Sequence, residues 1–134
     1  MIVVDASVAV KWFLDEPGSA QARELRRRFH LGDVELAAPD LLIYEVANAL
    51  VCQRVHSPAE IAMSVDTLLS MELILSDPEL DLMSRGVALA DQRSAALYDA
   101  VYVALAEMLG GELATADRHQ AAMAQPHARV RLIT

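Results

Sequence analysis

Hydrophobic residues recur along the chain in two patterns that alternate, short aliphatic runs and longer stretches in which apolar positions follow a helical spacing. The short runs predict five strands, at residues 2–4, 34–38, 72–76, 112–115 and 130–133. Because helical stretches separate the strands and no tight hairpin signal occurs, we expect parallel crossovers. The pattern predicts an α/β fold, a three-layer α/β/α sandwich with a five-stranded parallel sheet.

Local signals mark where the predicted helices begin and end. Ser57, Pro58 and Glu60 have the arrangement of a capping box and open a helix that runs to about Ser70. Asp40 is placed as an N-cap, and Gly32 as a C-terminal stop. The predicted helices lie at residues 7–14, 20–31, 41–55, 58–70, 77–95, 97–109 and 117–125.

Length and composition fit a single folded domain over residues 1–134. The chain is 54% hydrophobic and 22% charged, which is enough apolar surface for one core. Its one cysteine, Cys52, rules out an internal disulfide and is expected in the core. The start MIVVDAS lacks the features of a signal peptide, and no stretch resembles a membrane span, so we expect a cytoplasmic protein.

Four acidic residues indicate a candidate functional site, because they stand at the ends of the apolar elements or within them. Asp5 directly follows the first predicted strand, and Asp117 follows the fourth by two residues. In an open parallel sheet, ligands bind at the carboxyl ends of the strands where the winding direction reverses. If the first and fourth strands are neighbours at that point, the two carboxylates meet.

The other two acids lie in stretches that are poor in other charges. Glu45 is within LLIYEVANAL, and Asp99 is in the first turn of LYDAVYVALA. A buried carboxylate without a partner is so unfavourable that such groups normally pair with a cation. The nearest basic residues in sequence are Arg54 and Arg93, which do not supply enough partners for the set.

Each acid also has a simpler local explanation. Asp5 and Asp117 are placed to cap the helices that follow them, and Asp99 in a first turn favours the helix dipole. Glu45 is compatible with a solvated helix edge. The combination favours a site, because one fold would bring all four acids to one end of its sheet.

Oxygen ligands of this kind suit a hard cation, Mg²⁺ or Mn²⁺, which commonly meets substrate phosphates. The four histidines are scattered without zinc-ligand spacing, and His119 is expected at the surface. A carboxylate-bound Mg²⁺ activates water and stabilises charge on a phosphodiester. This chemistry is that of a nuclease.

Net charge at first argues against a nucleic-acid partner. The chain carries a formal charge of −8, which disfavours non-specific binding to nucleic acid. Cations bound by the acids would neutralise that charge locally. The arginines at 23–28 form either a solvated helix face or contacts to an RNA backbone.

With these residues assembled, the sequence closely resembles the PIN-domain ribonucleases, specifically the VapC-type toxins of prokaryotic toxin–antitoxin pairs. The resemblance covers essentially the whole chain and rests on ordered segments: IVVDASV, FLDEPGS, PDLLIYEVANAL, LYDAVYVALA and LATADRH. It implies a metal-dependent endoribonuclease that hydrolyses RNA phosphodiester bonds and acts as the toxin of a type II pair. The implied fold is a PIN-like five-stranded parallel sheet.

The resemblance also assigns roles by position. It implies that Asp5 and Asp99 are direct ligands of Mg²⁺ or Mn²⁺, and that Glu45 and Asp117 complete the cage or bind a second ion. Ser7 and Thr115 occupy the small hydroxyl positions beside the first and last acids and would support the site, or simply cap locally. The implied partners are an RNA substrate, a cognate antitoxin protein and a second copy of the chain in a homodimer.

Two other classes remain open from the sequence. A phosphotransfer fold, either a dehalogenase-like hydrolase or a receiver domain, also places Asp at a strand end. Here Ala6 and Ser7 follow Asp5 without the second Asp of the hydrolase motif, and the only lysine, Lys11, is not on a late strand. The non-enzymatic alternative is a catalytically silent docking module with a PIN-like fold.

Overall fold

The computed structural model describes the whole chain, Met1–Thr134, and contains every predicted strand and helix, with small shifts at their ends. The strands are β1 Ile2–Val4, β2 Leu36–Pro39, β3 Ile74–Ser76, β4 Glu112–Thr115 and β5 Arg129–Leu132. The helices are α1 Ala6–Ala9, α2 Ser19–His30, α3 Leu41–Gln53, α4 Pro58–Ser70, α5 Leu80–Arg93, α6 Leu97–Met108 and α7 Arg118–Ala124. A 3₁₀ turn at Val10–Trp12 extends α1.

The five strands form one sheet in the order β3-β2-β1-β4-β5, and every neighbouring pair is parallel. In the centre, Val3 of β1 pairs with Ala37 of β2 on one side and with Leu113 of β4 on the other. The chain winds outward from β1 to β3 and then crosses back to β4. The winding direction therefore reverses between β1 and β4, which is the point where ligands of open α/β sheets bind.

Helices cover both faces of the sheet. Parallel crossovers are right-handed, so connections that run in opposite directions along the sheet place their helices on opposite faces. The crossovers β1 to β2 and β2 to β3 run one way, and β3 to β4 and β4 to β5 run the other way. The predicted three-layer α/β/α sandwich is confirmed.

Helix α6 lies in the middle of the core. It packs on β1, β2 and β4, and all seven residues from Ala100 to Ala106 are buried. Small alanines alternate with larger side chains there, which allows the helix to lie close to the sheet. The position of α6 is thus strongly fixed by burial, and so is the position of any side chain at its first turn.

Three predictions of detail are corrected by the structure. Cys52 is exposed, because the buried stripe of α3 runs through Leu42, Val46 and Leu50, and Cys52 lies off that line. Asp40 occupies the N-cap position of α3, but its side chain makes no capping hydrogen bond. Strand β3 begins at Ile74, two residues later than predicted, because Glu72 has a left-handed φ of 59° that interrupts extended backbone.

No helix of the protein combines the length and the apolar character that a membrane crossing requires.

Candidate active site

Asp5 is held rigidly at the carboxyl end of β1. Its side chain is only 2% exposed, and it caps α1 by accepting a hydrogen bond from the Val8 N–H at 3.1 Å. The Ser7 hydroxyl donates to the same carboxylate oxygen at 2.5 Å, and the Thr115 hydroxyl donates to the other. The carboxylate is therefore fixed by donors from both β4 and its own turn.

Ser7 and Thr115 connect the ends of β1 and β4. The Ala116 N–H donates to the Ser7 hydroxyl at 2.8 Å, and the Asp117 N–H donates to the Thr115 hydroxyl at 3.0 Å. The two hydroxyl oxygens lie 3.4 Å apart. This hydrogen-bond network orients Asp5 and sets the path of the chain into Asp117. The same contacts therefore cap the chain locally and hold the side chains of a site in place.

Asp117 begins α7 as its N-cap. One carboxylate oxygen accepts from the His119 N–H at 2.8 Å and from the Gln120 N–H at 3.3 Å. The other oxygen is left for a further contact. The side chain of His119 is exposed, as expected, and does not line the site.

Glu45 and Tyr102 join α3 to α6 across the site. The Tyr102 hydroxyl donates to one Glu45 oxygen at 2.6 Å. Burial, this hydrogen bond and the nearby carboxylates raise the pKa of Tyr102, so the ring keeps its proton and acts as a donor. The expectation of a solvated Glu45 on a helix edge does not describe this half-buried, hydrogen-bonded group.

Asp99 differs from the other three acids because its carboxylate accepts no hydrogen bond. Its contact with α7 runs through the backbone, where the Gln120 amide donates to the Asp99 carbonyl at 3.1 Å. Burial and the charge of Asp117 raise the pKa of Asp99. The first turn of the buried helix α6 thus presents a carboxylate that nothing in the chain neutralises.

All four predicted acids line one pocket of about 180 Å³ at the carboxyl ends of β1 and β4. The remaining lining residues are Ala6, Ser7, Tyr102 and Gln120. The structure therefore brings together every acid that the sequence singled out, at the point where the winding of the sheet reverses.

The pocket is electrostatically uncompensated. None of the four acids forms an ion pair, and no lysine, arginine or histidine lines the pocket. Burial raises the pKa of Asp5 to about 6 despite its three hydrogen-bond donors, and the charge of Asp117 adds to that shift. Burial and the charge of Asp99 raise the pKa of Glu45.

The oxygen atoms that line the pocket are of the kind that binds a hard divalent cation. Carboxylate oxygens are the ligands that Mg²⁺ and Mn²⁺ prefer, and the pocket offers no sulfur or imidazole ligand. Nowhere in the chain are three His, Cys, Asp or Glu side chains already grouped as the ligands of one ion. The four acids share a pocket without forming a closed coordination cage.

Sequence reasoning missed two polar residues of the pocket, Tyr102 and Gln120, and the small Ala6. The two polar residues each follow a site acid by three positions, Tyr102 after Asp99 and Gln120 after the N-cap Asp117. Residues three apart share a helix face, so the helical spacing from each acid would have indicated them. Lys11, by contrast, pairs with Glu16 at 2.9 Å and lies outside the pocket. This position argues against the phosphotransfer hypothesis, because both of those folds need a lysine at the site.

Known proteins resemble this chain in sequence. The family model described as the PIN domain matches residues 2–126. Ribonuclease VapC3 of Pyrobaculum aerophilum is 33% identical over 124 residues, which are 90% of this chain and 92% of that protein.

Solved structures also resemble the fold. PAE2754 from Pyrobaculum aerophilum superposes with a TM-score of 0.68 at 26% identity, over 96% of this chain and 87% of that one. A toxin–antitoxin complex from Klebsiella pneumoniae contains a chain with a TM-score of 0.68 at 19% identity, over 91% of both chains. With the family model spanning nearly the whole sequence and a ribonuclease of one-third identity, this chain belongs to the PIN-domain family.

Proposed function

We propose that the protein is a metal-dependent endoribonuclease that hydrolyses RNA phosphodiester bonds and acts as the toxin of a type II toxin–antitoxin pair. The observation that carries the proposal is the pocket in which Asp5, Glu45, Asp99 and Asp117 meet without a basic partner. The similarity to Ribonuclease VapC3 supports the nuclease activity. The resemblance to a chain of a toxin–antitoxin complex supports an antitoxin partner.

Mg²⁺ or Mn²⁺ is the cofactor that we propose for this pocket, with Asp5 and Asp99 as the principal ligands and Glu45 and Asp117 completing the set. When bound, such an ion stabilises the negative charge that develops on a phosphodiester during hydrolysis.

The chain's own groups have distinct tasks in this proposal. Ser7 and Thr115 fix both oxygens of Asp5. Tyr102 holds one oxygen of Glu45, which leaves the second oxygen free to complete the metal site.

The partners follow from the same proposal. The substrate is RNA, and a cognate antitoxin and a second copy of the chain cover part of the apolar surface. Large apolar side chains that are exposed on α3 and α4, among them Val51, Met63 and Leu69, provide such a surface. A cytoplasmic location is proposed with them.

One observation favours the non-enzymatic alternative, a docking module with a silent PIN fold. No three acids are grouped closely enough to ligate one ion in this structure. A cleavage experiment separates the two functions, because a docking module would bind partners without cutting any RNA.

The experiment is incubation of the purified, antitoxin-free protein with total cellular RNA in Mg²⁺ or Mn²⁺ or in EDTA, followed by mapping of the fragment ends. We expect discrete cuts that require the metal and disappear in Asp5→Asn. Asp66→Asn, at an exposed position of α4, serves as the matched control and should cut normally. A folded protein that binds metal and cuts no RNA would contradict the proposal and favour docking.

A further inference from the structure

An apolar groove of about 220 Å³ lies beside the acidic pocket along the same edge of the sheet. The acidic pocket is at the ends of β1 and β4, and the groove is at the ends of the next strands, where Pro39 closes β2 and Ser76 closes β3. The walls come mainly from α3, α5 and α6. Pocket and groove therefore lie next to each other along the carboxyl ends of the strands.

Helices α3 and α6 contribute to both parts through neighbouring positions. On α6, Tyr98 and Val101 line the groove, whereas Asp99 and Tyr102 line the acidic pocket. On α3, Tyr44 lines the groove and the next residue lines the pocket. The 2.6 Å hydrogen bond from Tyr102 to Glu45 joins the two helices where the two parts adjoin.

The aromatic residues of the groove stand in an unusual environment. The side chains of Tyr44 and Tyr98 are 77% and 62% exposed, whereas Tyr102 is 1% exposed. Large aromatic groups that face water beside a site are typical of ligand-binding surfaces. No lysine, arginine or histidine lines the groove, so it suits a flat neutral group rather than a phosphate.

We propose that this groove binds an unstacked nucleobase of a single-stranded RNA, with Tyr44 and Tyr98 as stacking partners, while the adjoining acidic pocket receives the phosphodiester. The proposal rests on the ribonuclease function proposed above and adds the form of the substrate. Bases in a duplex are stacked and cannot enter a side groove, so the substrate must be single-stranded at this point. The tyrosines are binding residues in this scheme and take no part in the chemistry.

Asp40 would allow the groove to discriminate between nucleobases. It lines the groove, and its carboxylate does not cap α3. A carboxylate accepts hydrogen bonds, so it favours bases that present amino and imino hydrogens on one edge. Guanine presents both, whereas uracil presents a single imino hydrogen between two carbonyl oxygens. We therefore expect the groove to prefer guanine to uracil.

The test measures RNA binding separately from cleavage. A short fluorescein-labelled single-stranded RNA is titrated with Mg²⁺ present, in an Asp99→Asn background that prevents cutting, and Kd is obtained from anisotropy. Tyr44→Ala and Tyr98→Ala should each weaken binding roughly 5- to 150-fold, the range expected for loss of one stacked base. Tyr44→Phe and Tyr98→Phe keep the ring and should bind within about twofold of the parent.

The matched control is Met108→Ala, an exposed apolar position at the opposite end of α6 from Tyr98. It should leave Kd unchanged. An abasic nucleotide placed at one RNA position at a time completes a double-mutant cycle. One abasic position should weaken binding to the parent protein but not to the Tyr44→Ala, Tyr98→Ala double variant. Guanine at that position should bind more tightly than uracil, and Asp40→Ala should remove the difference.

Three results would overturn the inference. If the alanine variants bind RNA as the parent does while the wild type cuts RNA, the groove is not a base site and the nuclease proposal stands. If the alanine variants instead convert a dimer into monomers in sedimentation without changing RNA affinity, the groove is a contact between copies of the chain. If the wild type neither binds nor cuts any RNA, both proposals fall together.

Discussion

Helix α6 carries two acids in opposite electrostatic environments. Asp99, in the first turn, forms no ion pair and accepts no hydrogen bond through its carboxylate, and burial raises its pKa. Glu107, near the end of the same helix, accepts two hydrogen bonds from Arg85 at 2.6 and 2.9 Å, and one of its oxygens lies 2.8 Å from Nδ1 of His127. Hydrogen bonding to Arg85 lowers the pKa of Glu107.

The difference separates an acid with a structural role from an acid that we propose to be part of the active site. Glu107 links α6 to α5 and to the chain before β5, so its charge stabilises the native packing. Asp99 and the neighbouring acids are held near one another without a positive charge, which raises the free energy of the folded state. We propose that a bound cation supplies the missing positive charge, and this contrast can be tested at both ends of the helix.

The largest expected effect is on catalysis. Asp99→Asn should reduce RNA cleavage by roughly 10²-fold or more, because it removes a proposed direct metal ligand, and should leave the fold intact since its carboxylate accepts no hydrogen bond. Glu107→Gln should retain cleavage. Cleavage rates with Mg²⁺ and circular dichroism spectra of both variants provide the measurement. Full activity of Asp99→Asn would contradict its assignment to the site.

The second effect is a pH dependence of stability in the metal-free protein. The pKa of Asp5 is about 6 in the folded chain against an ordinary value of 3.8, so the folded state binds the proton more tightly than the unfolded state. The native state therefore loses stability as pH rises from about 4 to about 6, by about 3 kcal/mol at most.

Asp5→Asn cannot titrate, so its free energy of unfolding should rise relative to the wild type across that window. Urea unfolding in EDTA at several pH values between 4 and 7 measures the difference. The free energy of unfolding of the control variant Asp66→Asn should change with pH as that of the wild type does. A constant difference between Asp5→Asn and wild type at all pH values would show that Asp5 is not held at a raised pKa.

The smallest effect is at Glu107. Replacing it by Gln should lower stability at pH 7 by about 1 kcal/mol, since the pair with Arg85 is partly exposed, and should lower Tm by about 3 to 6 °C. Because the pKa of Glu107 is lowered in the folded state, this loss should shrink as pH falls through that pKa. The contribution of Glu107 to stability therefore falls as pH falls, whereas that of Asp5 falls as pH rises.

Thermal unfolding of Glu107→Gln at pH 7 and at pH 4 provides the measurement. Glu24→Gln is the matched control, because Glu24 pairs with Arg27 on the exposed face of α2 and should matter less. Equal losses for the two variants would remove the distinction between a packed structural pair and a surface pair.

The sequence specified the elements well where local chemistry decides them. The capping box at Ser57 and Glu60 forms as predicted, because its hydrogen bonds involve residues three apart in sequence. The apolar run of α6 is buried as its composition requires. The four acids were also found from the sequence, since a charged group inside an apolar element stands out without any structure.

Predictions were wrong where the outcome depends on a neighbour or on a single dihedral angle. The exposed Cys52 lies on α3, whose buried face is set by its packing against α4 and α1 and not by hydrophobicity alone. The start of β3 depends on the left-handed conformation of Glu72, for which the sequence carries no glycine signal.

By itself, the sequence determined the order of strands and helices, the α/β class and the identity of the unusual acids, because these follow from local spacing and from the cost of placing charge in apolar stretches. Only the tertiary structure decided that β4 pairs with β1, which brings Asp117 beside Asp5 across more than a hundred residues. It also decided that Tyr102 meets Glu45 and that an apolar groove adjoins the acids. Contacts between distant segments depend on the packing of the whole core, and no local pattern contains that information.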